Sequence, residues 1–166
     1  FTIIAGRSGI GKDSTLRVLP KVFRSHLDEP DARLPLLVGA TSVASGQGVL
    51  DYMQSNPKFI LTLDEFGEFI KEAKNPGSPR GSFMALLLEM FQMPGEPYKR
   101  LYRDNAKNGI YIPWQAFSFI GASTITGLWS ALESEDANKG FLSRFLIFEM
   151  DMPKRKARKT PPTLWI

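Results

Sequence analysis

Cysteine is absent from this chain, and histidine occurs once, at His26. The first absence excludes disulfides and cysteine-ligated structural zinc. The second removes Ser-His-Asp catalysis as a serious option, because His26 sits in the polar stretch Arg24-Ser25-His26-Leu27-Asp28-Glu29 and reads as a solvated surface residue. No apolar run approaches the ~20 residues that span a bilayer, so no membrane partner is expected. Internal repeats and low-complexity tracts are also missing. So is an initiator methionine: the chain opens on Phe1, inside what reads as a strand, and is expected to be a piece of a longer protein. An excess of charge on the fold is lacking too, although the net charge is +4. Lys154, Arg155, Lys156, Arg158 and Lys159 form a C-terminal basic run, and taking these five from +4 leaves −1 for the rest. The run lies between Pro153 and Pro161-Pro162 and reads as a solvated tail or linker over 151–166, with a nucleic-acid contact as the alternative. With 166 residues, the chain has room for one domain with a full core.

What is present begins with glycine. Residues 6 to 14 read Gly-Arg-Ser-Gly-Ile-Gly-Lys-Asp-Ser and follow the apolar run Phe1-Thr2-Ile3-Ile4-Ala5. G-x-x-x-x-G-K after a strand and before a helix is the pattern of a phosphate-binding loop. Gly6, Gly9 and Gly11 are expected to supply positive φ, so that the backbone N–H groups of Arg7, Ser8, Ile10 and their neighbours face phosphate oxygens. Lys12 adds a point charge, and the helix that starts there adds its positive end. The pattern departs in one place: Asp13 stands where a Mg²⁺-binding Ser or Thr is usual, with Ser14 and Thr15 behind it. Asp13 either faces the loop with its charge offset or turns away to favour the helix's positive end; the second is the expectation.

The rest of the chain alternates strand and helix. Helices are expected over Asp13–Phe23 (disturbed near its end by Pro20), 49–54, 68–73 and 83–91, with another beginning near Leu128. Strands are expected at Phe1–Ala5, 59–63, 117–121 and 145–148, with 36–39 a further candidate. This order implies an α/β fold with a mainly parallel sheet covered on both faces. Asn75-Pro76-Gly77-Ser78-Pro79 closes the helix before a helix-hairpin insertion over 75–113. The hairpin, Tyr98 to Ile112 with Asn108-Gly109 in or near its turn, carries Lys99, Arg100, Arg103 and Lys107 among Tyr98, Tyr102 and Tyr111. Those residue types serve base stacking and phosphate contact, and equally a solvated hairpin.

Three further segments carry chemistry. Phe59-Ile60-Leu61-Thr62-Leu63 ends in Asp64-Glu65, which puts two carboxylates at the carboxyl end of a buried strand, where open α/β sheets bind ligands. Asp64 is the candidate Mg²⁺ ligand, with Ser14 as a second, and Glu65 the candidate to polarise an attacking water. The strand Phe117 to Gly121 leads into Ser123 and Thr124, either of which can sense a γ-phosphate or simply cap the next helix; Thr124 is the better-placed of the two. Arg144, in Gly140-Phe141-Leu142-Ser143-Arg144-Phe145, reads as a finger completing a neighbour's site or as a structural salt bridge.

The glycine loop, the Asp-Glu strand, the Ser-Thr strand end and Leu-Ser-Arg-Phe come in the order used by AAA+ and superfamily 3 helicases. With Ser45-Gly46-Gln47-Gly48 and Asp64-Glu65-Phe66-Gly67 they resemble the helicase-like ATPases of phages, prophages and plasmids, often joined to a primase-polymerase. The likeness covers roughly 1–150. It implies a three-layer P-loop NTPase core, ATP and Mg²⁺ as ligands, hydrolysis, a homo-oligomeric (hexameric) ring, single-stranded or forked DNA as partner, and a cytoplasmic setting. Lys12, Glu65, Thr124 and Arg144 would be the catalytic set. Two other readings share the loop: a nucleotide or small-molecule kinase, and a binding module that does not hydrolyse.

Overall fold

The computed structural model describes residues 1–24, 41–92, 95–100, 109–133, 136 and 140–150. The candidate strand at 36–39, His26, the Asn108 turn position, Arg103, Lys107 and the basic run lie outside the described residues.

Four strands, β1 (Thr2–Gly6), β2 (Lys58–Leu63), β5 (Ala116–Ser123) and β6 (Leu146–Met150), form a parallel sheet in the order β2-β5-β1-β6. Parallel neighbours cannot be joined by tight turns, and the crossovers carry helices α1 (Lys12–Arg24), α2 (Gly46–Ser55), α3 (Phe66–Lys74), α4 (Gly81–Gln92) and α5 (Ile125–Ala131). The architecture is therefore α/β, as expected. A separate antiparallel pair, β3 (Tyr98–Arg100) and β4 (Ile110–Ile112), is the expected hairpin. No helix among the described residues is long and apolar enough to cross a membrane.

Strand periodicity divides the sheet into two unequal faces. Ile3, Ala5, Leu61, Leu63 and Phe119 point to the side of α3 and α5 and are buried. There Phe66 of α3 packs on Phe119 with ring centroids 4.8 Å apart, and Phe83 of α4 extends the layer through Phe69. The other face carries α1, whose Val18 and Val22 stay exposed, as do Leu146 and Phe148 on the edge strand. Cover is thus close on one face and partial on the other among the described residues.

Most element boundaries differ from the expectation by one to three residues. Helix α1 runs through Pro20 to Arg24, close to the expected end although proline lacks one helical N–H, and α2 starts at Gly46, three residues before the expected 49. Helix α5 starts at Ile125, three residues before Leu128, because Thr124 caps it: its side chain accepts a hydrogen bond from Gly127 N at 3.0 Å.

Candidate functional site

Strand register brings the candidate segments together. Ala5 pairs with Ser123 and Leu63 with Gly121, so the ends of β1, β5 and β2 lie side by side at one edge of the sheet. Because β5 runs between the other two, Ser123 and Thr124 separate the Gly6–Ser14 loop from Asp64-Glu65. A cavity of about 350 Å³ opens there, bordered by Ser8, Gly9, Gly11, Lys12, Asp13, Asp64, Glu65, Glu68, Ser123, Thr124 and Gly127.

In the loop, Gly9 (φ 79°) and Gly11 (φ 92°) take left-handed conformations that only glycine adopts at little cost. Gly6 does not, which corrects the expectation for that position. Instead the tip of the Ile10 side chain packs against it, where a Cβ would lie 2.2 Å from Ile10 Cδ1. Ile10 thereby folds back over the end of β1, while Arg7 and Ser8 are exposed and Ser8 borders the cavity. Ser14 N donates to Gly11 O at 2.9 Å and closes the turn into α1.

Lys12 opens α1 and is only 8% exposed, yet among the described residues its ammonium makes no hydrogen bond or ion pair. Its stem is covered by protein, and the residue borders the cavity, where an anionic ligand could pair with the ammonium. Asp13 sits in the first turn of α1, where the helix dipole favours a carboxylate. It borders the cavity, and also a neighbouring one of about 240 Å³ with Arg17, Thr62 and Asp64. Ser14 borders neither. It lies on the groove between α1 and the sheet with Ile4 and Ile120. The structure thus groups Asp64 with Asp13, and not with Ser14.

Asp64 and Glu65 are both exposed at the end of β2. Asp64 Oδ1 accepts from Glu65 N at 2.8 Å. Glu65 is the one non-glycine residue with positive φ among the described residues (φ 52°, ψ 38°). A left-handed non-glycine backbone costs about 1–2 kcal/mol, and such outliers cluster at functional sites. Glu65 is also the N-cap of α3, but its carboxylate makes no capping bond.

The strand-end hydroxyls divide their work. Ser123 is buried, and its Oγ accepts from Gly67 N at 3.2 Å, tying β5 to the start of α3. Thr124 is half-buried, caps α5, and keeps a hydroxyl proton to donate toward the cavity it borders. Glu68 is a cavity residue that sequence reading missed. Its signal was present: one helical turn after Glu65, it shares that residue's side of α3.

Arg144 does not join the site. It ends a 3-10 turn (Leu142–Arg144) before β6, hence at the opposite edge of the sheet from the loop. Its Nη1 donates to Gly140 O at 2.5 Å, its guanidinium lies 6.0 Å from the Phe91 ring centre, and its buried Nε has no partner. No salt bridge holds it among the described residues.

The donor set sets limits on a metal. No group of three or more carboxylate or histidine side chains among the described residues is arranged to hold an ion unaided. Mg²⁺ commonly takes one or two carboxylates and completes its shell with substrate phosphates and water, a demand that Asp64 and Asp13 can meet. No protein-family model matches the chain, and no curated protein matches it.

Proposed function

We propose that this chain is an ATP-hydrolysing motor domain of the helicase type, built on a P-loop core that binds Mg²⁺–ATP at the Gly6–Ser14 loop. The observation that carries the proposal is Lys12, a mostly buried residue with no hydrogen bond or ion pair among the described residues, bordering the same cavity as Asp64 and Glu65. The loop N–H groups, the N-terminus of α1 and Lys12 together favour a polyphosphate. Asp64 would hold Mg²⁺, which supplies charge neutralisation between the phosphates. Glu65, free of capping duty, orients a water and takes its proton as the water oxygen bonds to the γ-phosphorus. The bond from that phosphorus to the bridging oxygen breaks, releasing ADP and phosphate. Thr124 can donate its hydroxyl proton to a γ-phosphate oxygen.

The motor reading extends to DNA through the hairpin. Lys99 and Tyr111 are a cross-strand pair on its exposed face, Tyr111 being 58% exposed and nearby Trp114 69% exposed. Exposed aromatic rings beside a cation suit single-stranded DNA, where each stacked base contributes about 1–3 kcal/mol. The expected assembly is a homo-oligomeric ring of the phage or plasmid replication type. ATP turnover measured on the full chain, with and without single-stranded DNA, tests the proposal. Stimulation by DNA supports it; a requirement for a phosphoryl acceptor indicates a kinase, and bound but unhydrolysed ATP a binding module.

A further inference from the structure

We infer that Ser123 is a positioning residue for Glu65: it caps helix α3 from a neighbouring strand and so leaves the Glu65 carboxylate free for the cavity. The inference rests on the hydrolytic reading of Glu65 given above. A helix begins with N–H groups that lack partners, and the N-cap side chain normally accepts from the second or third of them. In α3 the N-cap is Glu65, and it makes no such bond. The second N–H, that of Gly67, is instead taken by Ser123 Oγ, 56 residues along the chain and 2% exposed. Ser123 does for α3 what Glu65 would otherwise have to do with its own carboxylate.

Two features make the arrangement specific. Gly67 must lack a side chain, since a Cβ there would lie 2.7 Å from Ser123 Oγ and 2.6 Å from the backbone of Gly127. The close approach of α3 to the end of β5 is therefore built around that hydrogen bond. Glu65 meanwhile holds a left-handed backbone, which persists only where the surroundings over-determine it. Its own N–H is held by Asp64 Oδ1 on one side, and the helix that follows is held by Ser123 on the other. Removing the second restraint lets the first turn of α3 relax toward ordinary capping, with the Glu65 carboxylate drawn back onto its own helix.

The test combines kinetics with a direct probe of the cap, in the full chain. Ser123→Ala should lower kcat for ATP about tenfold with KM within about twofold, and the Gly67 amide should exchange its hydrogen faster. In a Glu65→Gln background the same change should lower kcat by less than about twofold, because a residue acting through Glu65 has nothing left to position. Ser123→Cys keeps the volume but offers only a weak acceptor, and should repeat the pattern even if the alanine variant folds poorly. An undiminished tenfold loss in the Glu65→Gln background would overturn the inference, since Ser123 would then act by itself. So would parental kcat alongside faster Gly67 exchange. If Glu65→Gln alone hydrolyses ATP at the parental rate, the hydrolytic reading fails instead, and Gly67 exchange still reports whether the cap exists.

Discussion

A lysine with one-twelfth of its surface in water and no partner among the described residues is unusual enough to predict from. Among the described residues Lys12 is the one cation bordering the cavity, and replacing it by alanine leaves the carboxylates there unopposed. ATP affinity should fall at least tenfold, about 1.4 kcal/mol or more, in a calorimetric titration. Unchanged affinity would sink the phosphate-loop reading. Glu65→Gln keeps the size and the backbone of the residue and loses the base. Turnover should drop about 10²-fold or more with ATP binding retained, as measured by steady-state hydrolysis and titration. The identity of these residues was legible in the sequence, because G-x-x-x-x-G-K and an acidic pair after an apolar strand are local patterns. Their conformations were not. Gly6 looked like a third flexible glycine, whereas its space is taken by Ile10. The left-handed Glu65 carries no sequence mark, since its backbone is imposed by neighbours on either side.

At the scale of elements, the site depends on how closely α3 and α5 cross. Gly67 lies against the backbone of Gly127, and Lys74 at the far end of α3 bonds Ala131 O at 2.7 Å and Asp136 at 2.6 Å. The two helices are pinned at both ends. Gly67→Ala would force a methyl group into backbone that has no flexible side chain to give way, and overpacking of this kind costs about 1–3 kcal/mol. The thermal midpoint should fall by roughly 3–10 °C, with loss of turnover exceeding loss of ATP affinity. An unchanged midpoint would mean that the crossing is loose. Strand and helix order was readable from hydrophobic periodicity, and the parallel sheet followed from alternation. The start of α5 was placed three residues late because the small polar run Ser123-Thr124-Ile125-Thr126 has no helical periodicity; only the Thr124 cap marks it. The Ser123–Gly67 bond joins positions 56 residues apart, beyond any local pattern.

For the whole molecule, Arg144 poses the question of how many chains make one site. Thr2 pairs with Leu146 and Gly6 with Met150, so the strand height separates Arg144 from the loop by roughly 20 Å at about 3.3 Å per residue. An arginine side chain cannot cross that distance, and among the described residues Arg144 meets the Gly140 carbonyl and the Phe91 ring face. Its buried Nε has no acceptor among the described residues. A cation held half-exposed against an aromatic ring is suited to meet an anion carried by another molecule through its exposed guanidinium edge, not through the buried Nε. In the proposed ring, that anion would be the γ-phosphate bound by the adjacent subunit, and an arginine so supplied is worth about 10³-fold or more in turnover. Arg144→Ala should therefore abolish hydrolysis while ATP affinity and thermal midpoint stay near parental values. Mixing it with Lys12→Ala is the sharper measurement. Each variant is inactive alone, but mixed rings regain interfaces with Lys12 intact on one side and Arg144 intact on the other, and part of the ATPase activity should return. A demonstrably mixed assembly that stays inactive would refute the shared site and confine Arg144 to holding the Gly140 turn against Phe91.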